Sequence, residues 1–394
     1  MGLCSNVLTI YLPFIEANGI SDSMGSAILS VRCLFSFLAT FFVEHFYRRL
    51  SLRRGILLVS LVGAAAPLTF CIGSAFTYYL GAALAGITYG IGCIYPVSLL
   101  LSNWFRSRKG LALGISSAGS GVATMLFSPL LTSVALKYTL RTAFLFHAAF
   151  SVVSAVAVFL LIWDTPQEKG LDAYEVKGNS RKETVKPVPA AMSPHILALM
   201  AFMMLLNGGA GLAFSGHLSV LARACGYSAE FAAEGVSLFG LTLVLSKLAA
   251  GDIADHVGAK KCSALFILIF TTGCFFALGM NSKELFWWLA MVILLGIGAS
   301  VYNVGPPLWA ADLSSGKQYA RTLKWLQLFY NLGGIIFTML PGFIADRTGE
   351  YISSYIMFAV MMLVSLFLLL WIYHRQFRKP RALDENKRNK RYLH

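Results

Sequence analysis

The sequence predicts an all-α integral membrane protein of twelve spanning helices, arranged as two groups of six. Three observations predict it. The 394 residues are 57% hydrophobic and 13% charged, against about 25% charged in an ordinary soluble protein. The apolar residues gather into twelve runs, most of them near the roughly 20 residues a helix needs to cross about 30 Å of hydrocarbon. Basic residues alternate with the runs. Of 32 Lys and Arg, 25 lie in the loops of one side, the central linker or the C-terminal tail, and five in the loops of the other side. Two, Arg32 and Lys247, lie inside runs. Short basic loops mark the cytoplasmic side, so both termini are expected in the cytoplasm and the plasma membrane is the expected location.

The first run, 1–15, is short. Gly2 to Ile15 makes about 21 Å of helix, less than a membrane, and has no basic segment before it that would mark a signal peptide. The expectation is a start placed too late, with helix 1 truncated. The next five runs are 22–43, 55–74, 78–102, 110–136 and 141–163. A basic hairpin, Arg106, Arg108 and Lys109 without an acid, joins the fourth run to the fifth. The fifth then carries Gly110, Gly114, Ala118 and Gly121 at helical spacing, with Ser117 and Ser120 beside them. Such a face lets another backbone approach closely.

A polar stretch follows, with Asp164, Glu168, Lys169, Asp172, Glu175, Arg181, Pro187 and Pro189. It cannot bury a core and is expected to be a cytoplasmic linker. Six more runs follow it: 195–221, 230–250, 262–281, 285–310, 323–345 and 351–373. The predicted organisation is a bundle over 1–163, a linker over 164–194, a second bundle over 195–373 and a basic tail over 374–394. The tail is expected either near anionic headgroups, where each cation gains about 1 kcal/mol, or free in solvent.

Composition excludes other classes. The net charge of +14 is accounted for by loop placement, so no nucleic-acid partner is expected. The cysteines fall in or beside apolar runs without paired spacing, so neither a disulfide framework nor a metal site is expected. No Ser/His/Asp set, HExxH or phosphate loop stands at usable spacing, so the chain is read as a non-enzyme without cofactors. Membrane lipids are an expected partner, and a monomer the expected state.

The halves echo each other. Gly251, Asp255, Gly258, Lys260 and Lys261 fit the pattern G-x-x-x-D-R/K-x-G-x-R/K-R/K, with His256 in its first basic slot. The glycines permit a tight turn, and the aspartate can cap a helix start or pair with nearby bases. After the second run only the terminal bases remain, at Arg53 and Arg54, and a partial copy stands at Gly342, Asp346, Arg347 and Gly349. This motif and the doubled six-helix build resemble the major facilitator superfamily. Gly86, Gly90, Gly92, Tyr95, Pro96, Trp104 and Phe105, then Arg108, Lys109, Gly110, Gly114, Ala118 and Gly121, look like the monocarboxylate transporters and the oxalate:formate antiporters. The resemblance implies transport of small carboxylates by alternating access, with a proton or in exchange.

Charges inside a bilayer are costly and functional by default. Lys247 stands four residues before Gly251, where the resemblance implies a substrate-binding base. That base is usually an arginine, and the acid expected one turn earlier is Leu243. The bland alternative is a lysine reaching back to the interface. Arg32, near the middle of the second run, is either a second anion contact or a structural pair. No second cation stands in the eleventh run. Gln327, Tyr330, Asn331 and Gly334 form its polar stripe instead. Tyr89, Cys93 and Pro96 form one stripe and Tyr302, Pro306 and Trp309 another, each readable as cavity lining or as packing. Asn207, His217, His147 and Asn303 are further lining candidates, and Glu234 a candidate proton carrier. The expected function is secondary transport of a mono- or dicarboxylate, by exchange or charge movement rather than obligatory proton symport. The alternatives are another cargo, such as a drug or sugar, and a sensor that no longer transports.

Overall fold

The computed structural model describes residues 8–17, 22–175, 193–314 and 318–378. These are helical apart from turns and one isolated bridge between Phe105 and Tyr174. Ten helical segments are long and apolar enough to cross a membrane. An eleventh is added if Ala27–Phe41 and Val43–Arg49, bent by 54°, form one span. The first run gives a 3-10 turn, Leu8–Tyr11, and a short helix α1 (Leu12–Ala17).

Six of the remaining first-half helices follow directly: α2 (Asp22–Phe41), α3 (Val43–Arg49), α4 (Leu52–Phe70), α5 (Ala75–Gly92), α6 (Ile94–Trp104) and α7 (Lys109–Lys137). The half closes with α8 (Leu140–Leu161). The second half holds α9 (Pro194–Ala224), α10 (Ala229–Val257), α11 (Ala259–Phe276), α12 (Leu285–Gly298), α13 (Val301–Leu313), α14 (Tyr319–Phe337), α15 (Leu340–Thr348) and α16 (Ile352–Arg378). In the first half α5 packs on α2 and α4, and α8 on α4. In the second, α9 packs on α14 and α16, and α11 on α12 and α16. Two seams join the halves: α7 runs along α10, and α2 along α14.

Two expected runs are broken in matching places. The fourth breaks at Cys93, between α5 and α6. The tenth breaks at Ala299–Ser300, between α12 and α13. The local cause is shared. Glycines precede each break, Gly90 and Gly92 in one and Gly296 and Gly298 in the other, and proline follows at Pro96 or at Pro306 and Pro307. Glycine weakens a helix and proline removes a donor from its ladder. Interrupted helices at equivalent positions of two repeats are the usual pointer to a transporter's central site.

The start of the linker is fastened down. The Arg53 guanidinium lies over the rings of Phe159 and Trp163, at 4.4 and 4.2 Å. Its backbone N–H donates to Asp164 Oδ1 at 2.6 Å. Trp104 Nε1 donates to the Trp163 carbonyl at 2.9 Å. A base and an aromatic that the sequence offers as motif residues thus bind residues 163–164. Most of the expected linker, 176–192, and most of the basic tail lie outside the described residues.

Candidate functional site

The site begins where α7 and α10 meet. Arg108 takes a left-handed backbone conformation, φ 54°, which turns the chain sharply into α7. The first amides of α7 then face the end of α10. Asp255 accepts from Gly110 N at 3.0 Å and from Leu111 N at 2.9 Å. A carboxylate on one half thereby caps a helix on the other, where the positive helix end favours it. Gly258, at φ 88°, supplies the turn that ends α10. Lys260 and Lys261 sit on the first turn of α11, and His256 lies 3.7 Å from Asp252. A second tie at this basic end joins Lys324 of α14 to Glu44 of α3 at 2.9 Å. Asp255→Asn removes the charge from a helix cap and is expected to cost about 1 kcal/mol. Thermal unfolding in detergent should show a lower midpoint. Faster thiol labelling of a cysteine placed at Ser102 should show a looser basic end, and unchanged labelling would argue that the cap holds nothing shut.

Above this tie the seam is a ladder of small residues. A Cβ on Gly110 would meet the Gly251 carbonyl at 2.6 Å, and one on Gly121 the Gly240 carbonyl at 2.8 Å. A Cβ on Gly114 would collide with the Lys247 carbonyl. Farther along, Ser237 Oγ donates to the Met125 carbonyl at 2.7 Å and Ser128 Oγ to the Ala233 carbonyl at 3.2 Å. The small face legible in the fifth run is the α7 side of this contact.

Lys247 stands on the ladder and is 0% exposed. Its ammonium donates to Ser120 Oγ at 2.5 Å and to the Ser117 carbonyl at 3.0 Å. The ion pairs of the described residues do not include it. The side chain crosses the seam into α7 and does not reach back to the interface. Leu243, one turn away, is buried and lines a central pocket of about 60 Å³.

That pocket collects candidates from both halves. Tyr89, Cys93 and Ser120 line it from the first half, and Tyr302, Asn303 and Tyr330 from the second. Arg32 is buried at 4% exposure, within electrostatic reach of Tyr89 and Tyr330 and in contact with Cys33. Lys247 is within electrostatic reach of Cys93. Two buried cations thus approach one central pocket from opposite halves. The break at Cys93 divides the stripe expected from Tyr89 to Pro96, so Tyr89 lies on α5 and Pro96 on α6.

Other candidates lie elsewhere. Asn331 Nδ2 donates to Thr40 Oγ1 at 3.3 Å, which places it in the α2–α14 seam. Gln327 is buried on α14, its Nε2 without a hydrogen-bond partner among the described residues. Asn207 accepts from Ser365 Oγ at 3.0 Å, between α9 and α16. Trp309 Nε1 donates to Ser263 Oγ at 2.8 Å. His217 Nδ1 lies 2.8 Å from the Ala213 carbonyl, and His147 Nδ1 lies 3.3 Å from the Tyr11 hydroxyl. Glu234 is exposed. Ser117 and Ser120 are the lysine's partners that sequence reasoning missed as such. Their signal is their spacing of three on the face of Gly114 and Gly121.

Residues 1–235 and 197–393 match the model of the Major Facilitator Superfamily. The chain is 24% identical over 330 residues to monocarboxylate transporter 12-B of Danio rerio, covering 74% of this chain and 67% of that protein. It is 26% identical over 249 residues to the class E tetracycline resistance protein of Escherichia coli, covering 62% of this chain and 60% of that one. In three dimensions it is similar to the crystal structure of the human organic anion transporter MFSD10. The TM-score is 0.69 at 15% identity, over 93% of this chain and 97% of that one, a likeness of fold. With its helical halves, its loop motif and a family match along nearly its whole length, the chain belongs to the Major Facilitator Superfamily and is similar to the monocarboxylate transporters.

Proposed function

We propose that the chain is a secondary transporter that moves a small organic anion, a mono- or dicarboxylate, by alternating access. The observation that carries this reading is Lys247: a wholly buried cation at the junction of the halves, without a carboxylate partner among the described residues. An uncompensated buried charge is strongly destabilising. An anionic cargo supplies the missing counter-charge, and only while the halves enclose it. Arg32, on α2 of the first half and beside the same pocket, is the counterpart in charge of this second-half lysine. Leu243 supports exchange or charge-moving transport over obligatory proton symport, since an apolar side chain stands where a proton-carrying acid would act. The monocarboxylate relative supports the cargo class.

The tetracycline resistance relative favours one second reading, a larger drug-like cargo. A protein that binds ligand without moving it would be a sensor. Reconstitution into proteoliposomes separates the three: accumulation of labelled carboxylates supports the first, of tetracycline or a sugar the second, and binding without flux the third.

The charge distribution also makes a topological prediction. With basic loops in the cytoplasm of cells bearing the protein in the plasma membrane, tags at residue 180 and at the C-terminus should both resist an impermeant label. A cysteine replacing Asn281 should react. Surface labelling of the C-terminal tag would overturn the orientation.

A further inference from the structure

A larger space adjoins the lysine. A groove of about 460 Å³ lies among α6, α7, α8 and α13, within the roughly 300–1,000 Å³ usual for small-molecule sites. Its walls are chiefly apolar, with Leu113, Val122, Leu126, Phe127, Phe150 and Val158 among them. Ser117 and Ser120 line it too, and these are the two residues that receive the Lys247 ammonium. Leu126 and Phe150 are 52% and 39% exposed on the outer flank, so the groove runs from the two serines that hold the buried cation toward the outer faces of α7 and α8. Gly119 lies on its wall, and a Cβ there would meet nothing within 4 Å.

This combination has a chemical meaning. One cation behind one wall, held there by Ser117 and Ser120, matches one anionic group. The remaining wall gains by covering itself with an apolar body and loses by desolvating a second charge. A compact dianion would satisfy the lysine and leave the apolar surface bare. We infer that the preferred cargo is an amphipathic monoanion, a carboxylate carrying an aromatic or branched aliphatic body. Its carboxylate sits at the Lys247–Ser120 end, and its body lies along the α7–α8 side of the groove. The inference rests on the anion-transport reading and narrows it.

The test is binding to the full-length protein in detergent, followed by tryptophan fluorescence. The probes are acetate, butyrate, phenylacetate, 3-phenylpropionate and oxalate, with 3-phenylpropionamide as the uncharged control. Each buried methylene should tighten binding about fourfold, so 3-phenylpropionate should bind at least about 30-fold tighter than acetate. The amide should bind at least about 30-fold weaker than its acid, because it leaves the lysine without a counter-charge. Gly119→Phe fills the groove and should lower the 3-phenylpropionate-to-acetate affinity ratio about tenfold or more. Affinity that is flat or falls with size, or oxalate bound tightest, overturns the amphipathic cargo while leaving anion transport standing. An amide that binds as well as its acid overturns the carboxylate–Lys247 contact and, with it, the anion reading. Binding of none of the acids overturns both readings.

Discussion

Lys247→Met is expected to reduce anion uptake by about 100-fold or more, with membrane insertion unchanged. Methionine keeps the length and apolar stem of lysine and removes only the charge. Losing one partner of a buried charge pair costs about 3–5 kcal/mol, and each 1.4 kcal/mol is about tenfold in affinity. The empty protein should gain or keep stability, because an uncompensated buried ammonium at 0% exposure is removed from it. That opposition, a steadier protein that no longer transports, separates a cargo-binding role from a purely structural one. A structural lysine would lower both, since its bonds to Ser117 and Ser120 tie α10 to α7. Lys247→Arg should keep part of the activity, because the charge remains while a bulkier head must fit the same seam. Arg32→Ala should weaken dicarboxylates more than monocarboxylates if both cations meet the cargo. Flux in proteoliposomes under imposed pH or counter-substrate gradients measures all three. Undiminished uptake by Lys247→Met would remove this residue from the mechanism, and accumulation driven by a pH gradient alone would sink the exchange proposal.

Gly114→Ala and Gly119→Ala place the same methyl five residues apart on one helix, and opposite outcomes are expected. At Gly114 the new Cβ collides with the Lys247 carbonyl, which as backbone cannot step aside. Overpacking of this kind costs about 1–3 kcal/mol or more, and here it also pushes α10 from α7. The unfolding midpoint in detergent should fall and transport should be lost. At Gly119 the methyl meets nothing within 4 Å, and alanine is the better helix former by about 1 kcal/mol. The midpoint should hold or rise. Equal midpoints for the two variants would refute the close backbone contact that defines the seam.

Much of this arrangement is legible in the sequence, because bilayer physics writes it there. Run length and loop charge report the spans, and the small residues from Gly110 to Gly121 report a close contact without naming its partner. Asp255 was readable as a helix cap, although not as a cap on the other half, since that pairing joins residues 145 apart in the chain. Lys247 stood out because charge is rare inside a run. Its partners were hidden, because a serine between glycines has the same composition whether it receives an ammonium or faces lipid. The breaks at Cys93 and Ala299–Ser300 were signalled by glycine and proline in matching runs, yet each run is apolar enough throughout to pass for one helix. Asn207 is a different case. A lone amide in an apolar helix suggests a cavity; its carbonyl is taken by Ser365 of a neighbouring helix, while its buried Nδ2 has no hydrogen-bond partner among the described residues.

The glycine ladder between α7 and α10 also bears on speed. When two helices interlock through side chains, every knob must climb out of its hole before they can shift, and each climb is a barrier. Backbone resting on backbone has no knob to lift. The α7–α10 boundary therefore works as a bearing, with little friction along its length. Resistance to opening gathers at its polar pins: the Asp255 cap, the Lys247 bonds to α7 and the Ser237 and Ser128 hydroxyls. A cargo that draws the lysine away from Ser117 and Ser120 would withdraw one pin from inside, and so couple its own arrival to the freedom of the halves to turn.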